Sequence, residues 1–76
     1  MNNIIIEILS SLRPEFDFTQ EVDFIEEGML DSFDVVSLVD ELENRFGIKI
    51  DGLDILPENF SSVANIVNLL KKNGAE

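Results

Sequence analysis

Ser32 is the residue of this chain whose position is best suited to chemistry. It follows Asp31, and both residue types commonly cap the N-terminus of a helix. Gly28 lies shortly before them and lets the chain turn freely. The residues after Phe33 then show apolar side chains at helical spacing, at Val35, Val36, Leu38, Val39, Leu42 and Phe46. The Ser32 hydroxyl should therefore sit at a helix mouth, where free N–H groups and a partial positive charge stabilise a phosphate ester.

Catalysis by Ser32 itself is disfavoured. A nucleophilic serine needs a neighbouring base, usually histidine, and the sequence contains neither histidine nor cysteine. It also has no glycine-rich phosphate loop, and no motif marks any of its acids as a catalytic pair. The acids of residues 15–31 lack the spacing of a calcium-binding loop, which favours a solvated loop over a metal site. We therefore expect no enzyme activity and no metal.

The composition narrows the class of protein. The 76 residues suffice for a single domain, 1–76, with a small core and no cysteine or histidine to staple it. Sixteen acidic against five basic residues give a net charge of −11, which argues against nucleic acids and anionic membranes and favours basic partners. Because 45% of the residues are hydrophobic, the chain is too apolar for the disordered class.

The sequence carries no recognisable membrane or export signal. No apolar segment is long enough to cross a bilayer, so membrane insertion is not expected. The segment Met1–Leu12 is apolar but has no positive charge and no cleavage pattern after it, which is not typical of a signal peptide. We expect a cytoplasmic protein.

The N-terminal part of the chain predicts one helix and a long loop. The helix covers about residues 3–12, with Asn2 or Asn3 as its N-cap, and Pro14 ends it. The connection over residues 13–31 is too long for a passive loop, so apolar side chains should pin it to the core. The candidates are Phe16, Phe18, Val22, Phe24 and Ile25.

Three further helices are predicted. The second covers about Ser32–Phe46, and a short third helix lies between about residues 54 and 60, with Pro57 limiting it or in its first turn. Ser61 or Ser62 caps the fourth. Its apolar stripe consists of Val63, Ile66, Val67 and Leu70. The expected fold is all-α: a four-helix bundle of three main helices and one short helix, in up-down order with a long first loop.

The chain resembles the acyl carrier protein family, whose phosphopantetheine attachment site reads Asp-Ser-Leu with a glycine a few residues upstream. Asp31–Ser32–Phe33, with Gly28 before it and an acidic helix after it, carries the resemblance. Phe33 replaces leucine, a change that the D-alanyl carrier proteins of cell-wall modification tolerate, and the chain looks closest to that subfamily. The resemblance implies that Ser32 is the covalent attachment residue and Asp31 its flanking motif residue.

The resemblance also implies a function. A phosphopantetheinyl transferase would move the arm from coenzyme A to Ser32, and the chain would carry an acyl or aminoacyl group on it as a thioester. Its other partners would be an acyl- or aminoacyl-loading ligase and downstream acyl-transfer enzymes with basic patches, and the chain would be a monomer. The pathway stays open among fatty-acid, polyketide and non-ribosomal peptide synthesis and D-alanylation.

Six residues around Ser32 are predicted to contact these partners. They are the apolar Met29 and Phe33 and the acidic Asp34, Asp40, Glu41 and Glu43. Acids on one face would steer basic patches at a high on-rate and modest affinity. Raising the salt concentration is therefore expected to slow loading by the transferase steeply.

Two points stay open. Phe24, Phe46 and Phe60, if all point inward, would favour short or aminoacyl cargo, but they are equally well explained as ordinary core residues. A non-carrier acidic module that docks a helical face onto a basic partner would also explain the charge, though not the placement of Asp31 and Ser32.

Overall fold

The computed structural model describes residues 1–75, and its regular elements are all helical. Three α-helices, α1 (Asn2–Leu12), α2 (Ser32–Phe46) and α3 (Val63–Lys72), are accompanied by two 3-10 turns, Gly52–Asp54 and Pro57–Phe60. This confirms the all-α prediction and the bounds of the three main helices. No helix of the described residues is both long and apolar enough to cross a bilayer.

Helix α1 forms because its apolar residues share one face. Ile5, Ile8 and Leu9 are buried in the core. The predicted cap is wrong: Met1 occupies the N-cap position without a side-chain hydrogen bond, and both Asn2 and Asn3 lie inside the helix. The reason is that the helical hydrogen bonds already start at the first residue, where the Ile5 amide donates to the Met1 carbonyl over 3.2 Å.

Residues 13–31 form the long loop, and phenylalanines pin it as predicted. Phe18 and Phe24 are fully covered, and their rings meet edge to face at 5.1 Å between centroids. The Phe24 amide donates to the Ser61 carbonyl over 2.8 Å, which ties the loop to the segment entering α3. The remaining candidates, Phe16, Val22 and Ile25, are half-buried against the same core.

Helix α1 packs against both α2 and α3. Arg13, just past the end of α1, is paired with Asp34 in the first turn of α2 at 2.8 Å, whereas Arg45 in its last turn lies 3.9 Å from Glu7. These two contacts make α1 and α2 antiparallel, as the up-down order predicts. The start of α2 is therefore held against the end of α1.

The short third helix differs from the prediction. Where one helix over residues 54–60 was expected, the chain makes two separate 3-10 turns with an extended Leu56 (φ −115°, ψ 143°) between them. Pro57 is the cause, because it has no N–H to donate and forces the preceding residue out of the helical region. Pro57 does begin the second turn, and Phe60 is fully buried as its anchor.

Helix α3 closes the bundle as predicted. The Ser62 hydroxyl accepts a hydrogen bond from the Asn65 amide at 3.1 Å and so caps the helix. Ile66, Leu69 and Leu70 are its buried residues.

Candidate functional site

The mouth of α2 is shaped by a tight turn before it. Gly28 has a φ of +73°, the left-handed region that glycine enters without a steric penalty. The amides of Met29 and Leu30 both donate to the Phe24 carbonyl, over 2.9 and 3.2 Å. The loop thus folds back on itself and delivers Asp31 to the start of the helix.

Asp31 is the N-cap of α2 and forms a reciprocal capping box with Asp34. The Asp31 carboxylate accepts from the Asp34 amide at 3.0 Å, and the Asp34 carboxylate accepts from the Asp31 amide at 3.1 Å. The Asp34 N–H is the main cause that holds the pKa of Asp31 below its usual range, and the nearby Arg13 charge acts in the same direction.

Ser32 is the first residue of α2, and its side chain is exposed. Because Asp31 provides the cap, Ser32 is not needed for that purpose. The side-chain hydrogen bonds at this helix mouth are made by Asp31, Asp34 and Arg13, and within residues 1–75 none involves the Ser32 hydroxyl. A free hydroxyl thus lies at the positive end of the α2 dipole, a position that favours a phosphodiester.

Arg13 is a residue at this site that the sequence did not single out. Its guanidinium donates to the carboxylates of Asp34 at 2.8 Å, Asp31 at 3.2 Å and Glu15 at 3.3 Å. The hydrogen bond to Asp34 is the main cause that raises the pKa of Arg13 above its usual value. Arg13 belongs to no motif in the sequence. The fold brings it next to Asp31 and Asp34, which lie 18 and 21 positions away in the chain.

Two of the predicted acidic contacts are engaged within the chain. The Asp34 side chain is only 13% exposed between the Asp31 amide and Arg13. The Glu43 carboxylate accepts a 2.8 Å hydrogen bond from the Ile50 amide and so holds the segment after α2. Asp40 and Glu41 are exposed on the surface of α2. Of the four acids, these two offer an unobstructed surface to a basic partner.

The two apolar residues predicted to contact partners differ in their exposure. Phe33 is 85% exposed and lies next to Ser32 in the chain. Met29 is only 5% exposed and belongs to the hydrophobic core. Met29 therefore offers little surface to a partner in this structure, and its contact with partners stays a prediction.

An apolar groove of about 400 Å³ runs beside Ser32. The residues that line it besides Asp31 and Ser32 are Ile25, Leu30, Val35, Val36, Ile55 and Pro57. Val36 is 66% exposed, so it is not the core residue that the apolar spacing suggested. Its neighbour Val35 occupies the core-facing position. The signal that could have identified the groove was this surplus of apolar residues beyond one helix face.

The other acids of residues 1–75 are spread out, and some make local hydrogen bonds. In the part of the chain that the structure describes, no group of three or more histidine, cysteine or acidic side chains is placed to hold a metal ion. The loop acid Asp17 instead accepts hydrogen bonds from Thr19, and Asp23 accepts from the amides of Ile25 and Glu26.

Comparison with known proteins gives a consistent result. The family model described as "Phosphopantetheine attachment site" matches residues 3–70. The chain is 38% identical over 58 residues to an acyl carrier protein of Thermotoga maritima, covering 76% of this chain and 69% of the relative. It is 40% identical over 50 residues to a D-alanyl carrier protein of Bacillus velezensis, covering 66% of this chain and 64% of that relative, less than two thirds of its length.

Proposed function

This chain belongs to the family defined by a phosphopantetheine attachment site, and from that premise we propose that Ser32 is the residue to which the arm is attached. The chain is accordingly a carrier protein, an acyl or D-alanyl carrier, and not a catalyst. When bound, the arm supplies a terminal thiol that holds the cargo as a thioester, which is chemistry that a chain without cysteine cannot supply itself.

The observation that carries the proposal is the free Ser32 hydroxyl at the start of α2. Asp31 has taken over the capping role, so esterification of Ser32 breaks no hydrogen bond of the helix start. The positive end of the α2 dipole lies at this position and favours the negative charge of the new phosphate. The apolar groove beside Ser32 offers a surface along which an arm or its cargo can lie.

Mass spectrometry tests the assignment directly. The chain is incubated with coenzyme A and a broad-specificity phosphopantetheinyl transferase, and we expect the intact mass to rise by one arm. Ser32→Ala should abolish the gain. Ser37→Ala, which removes another exposed hydroxyl of α2, should leave it unchanged. Modification of S32A to the level of the parent chain would refute the assignment.

We also propose that the cargo is small, with D-alanine as the leading candidate. The rings of Phe24 and Phe60 are at most 1% exposed and fill the centre of the bundle, and Phe46 packs half-buried against it. A small cargo is also favoured by Phe33 after the serine and by the similarity to a D-alanyl carrier protein. A long acyl chain held in the core would raise the thermal midpoint of the loaded protein above that of a D-alanyl-loaded one. We expect the chain loaded with a long acyl group and the D-alanyl-loaded chain to have equal thermal midpoints.

A carrier of this family works with a phosphopantetheinyl transferase and acyl-handling partners. We propose that these include a loading ligase and acyl-transfer enzymes with basic patches, which meet Phe33, Asp40 and Glu41 around Ser32. We further propose that the chain acts as a monomer, because its net charge of −11 makes copies repel one another. Since the arm is drawn from coenzyme A, we place the reaction in the cytoplasm.

A further inference from the structure

Arg13 reaches from the end of α1 to both halves of the capping box at the mouth of α2. Its Nε donates to Asp34 at 2.8 Å and one terminal nitrogen donates to Asp31 at 3.2 Å. The side chain is about one-third exposed, at 34%, so the fork lies against the protein surface and does not extend into solvent. The planar guanidinium is the side chain that can meet two carboxylates in this way, whereas an ammonium acts as a point charge.

The capping box and Arg13 use the same two carboxylates. The Oδ2 atom of Asp34 accepts from both the Asp31 amide and Arg13, and the two oxygens of Asp31 divide between the Asp34 amide and Arg13. Without Arg13, two like charges would face each other across one helical turn, an arrangement that opposes helix formation. With it, a single positive charge lies between the two carboxylates and reduces their repulsion at the point where the helix begins.

Ser32 lies between these two carboxylates in the chain, and this gives Arg13 a role beyond folding. We propose that Arg13 is a positioning residue for the modification of Ser32, which clamps Asp31 and Asp34 so that the hydroxyl between them keeps one exposed placement on a closed first turn. The inference rests on the proposed function of Ser32. It adds a residue that lies 19 positions upstream and that no attachment motif contains.

The consequence is kinetic. When the clamp is lost, the first turn of α2 opens for part of the time, and only the closed fraction presents Ser32 correctly. The apparent affinity for the transferase falls in proportion to that fraction, while the chemical step in the bound complex is unchanged. We expect Arg13→Gln to raise the KM for the carrier by about fivefold with kcat nearly constant. Arg13→Lys should lie between, because lysine keeps the charge but not the fork.

The test measures kcat and KM for transfer of the arm to each variant, with all variants held well below their thermal midpoints. Arg45→Gln is the matched control, since it removes the other arginine, whose contact with Glu7 is a loose 3.9 Å. Amide hydrogen exchange adds a readout independent of the transferase. The Asp34 amide should exchange faster in R13Q than in the parent, while the amides of α3 should not change beyond the shift in global stability.

The outcomes separate the two proposals. An increase of KM in R13Q but not in R45Q, together with faster exchange at Asp34, supports the positioning role. Unchanged kinetics in R13Q, or equal changes in R13Q and R45Q, would overturn it while leaving Ser32 as the attachment residue. A parent chain that takes up no arm would overturn the proposed function, and the role of Arg13 with it. If R13Q does not fold, R13K gives the same comparison.

Discussion

Replacing Phe33 by alanine is expected to weaken partner binding without weakening the fold. Phe33 is 85% exposed and contributes nothing to the hydrophobic core. Surface substitutions of this kind change the free energy of unfolding by less than about 0.5 kcal/mol. We expect a partner that reaches the Ser32 hydroxyl to cover the neighbouring Phe33 ring as well.

The magnitude follows from the exposed fraction. Full burial of a phenylalanine side chain is worth about 1.5–3 kcal/mol, and 85% of that surface is still available to a partner. Docking that covers the whole ring therefore gains about 1–2.5 kcal/mol, and its loss raises the KM for the carrier by about 5- to 70-fold. The assay is arm transfer by the transferase at varied carrier concentration, with thermal unfolding measured in parallel.

Leu53→Ala is the matched control for this prediction. Leu53 is equally exposed, at 84%, but lies in the 3-10 turn Gly52–Asp54 and not next to Ser32 in α2. Its truncation should leave the KM within about twofold, since it removes apolar surface that the transferase does not need to cover. A KM in F33A that equals the parent value would show that partners do not contact the ring. Equal losses in F33A and L53A would point to general surface hydrophobicity and contradict the reasoning.

Three further predictions concern stability. Ser62→Ala removes the hydroxyl that caps α3 through the Asn65 amide and should lower the free energy of unfolding by about 1 kcal/mol in urea titrations. Gly47→Ala should lower it by about 1–2 kcal/mol for a purely conformational reason, since φ is +63° and a Cβ would meet nothing within 4 Å. The hydrogen bond from Lys72 is the main cause that lowers the pKa of Asp54 in the folded protein. The ionised Asp54 therefore stabilises the fold above its unfolded-state pKa of about 3.9, and this stabilisation is lost as the pH falls through its lower folded-state pKa. Below about pH 4 the thermal midpoint of the parent should therefore fall more steeply than that of Asp54→Asn.

The sequence predicted the helices well because their signals are local. The apolar stripe and the end residues of α2 lie within Ser32–Phe46 and its neighbours, and no distant contact is needed to see them. The short third helix was harder, since a proline is compatible with both a helix start and a break. Its outcome depended on Leu56 becoming extended, which the apolar pattern alone does not specify.

At the site, too, local features could be predicted from the sequence and long-range contacts could not. Ser32 was found from its neighbours in the chain, whereas the contacts of Arg13 depend on the antiparallel packing of α1 and α2. The burial of the apolar residues near Ser32 could not be predicted from residue type either. Met29 and Phe33 are both large apolar residues next to the motif, yet one is 5% and the other 85% exposed, because Met29 lies in the loop that packs on the core and Phe33 lies on the outer face of α2.

The distribution of charge at the site changes what the acidic composition means for recognition. Beside Ser32, Asp31 and Asp34 are both paired with Arg13, which offsets part of their charge, and the exposed neighbours Phe33 and Val36 are apolar. The exposed acids of α2 lie further along the helix, among them Asp40. Salt screening acts over about 10 Å at ordinary ionic strength, so such acids influence the approach of a basic partner more than its final contact. We therefore expect salt to slow the association of partners, and we expect the apolar surface next to Ser32 to determine how long the complex lasts.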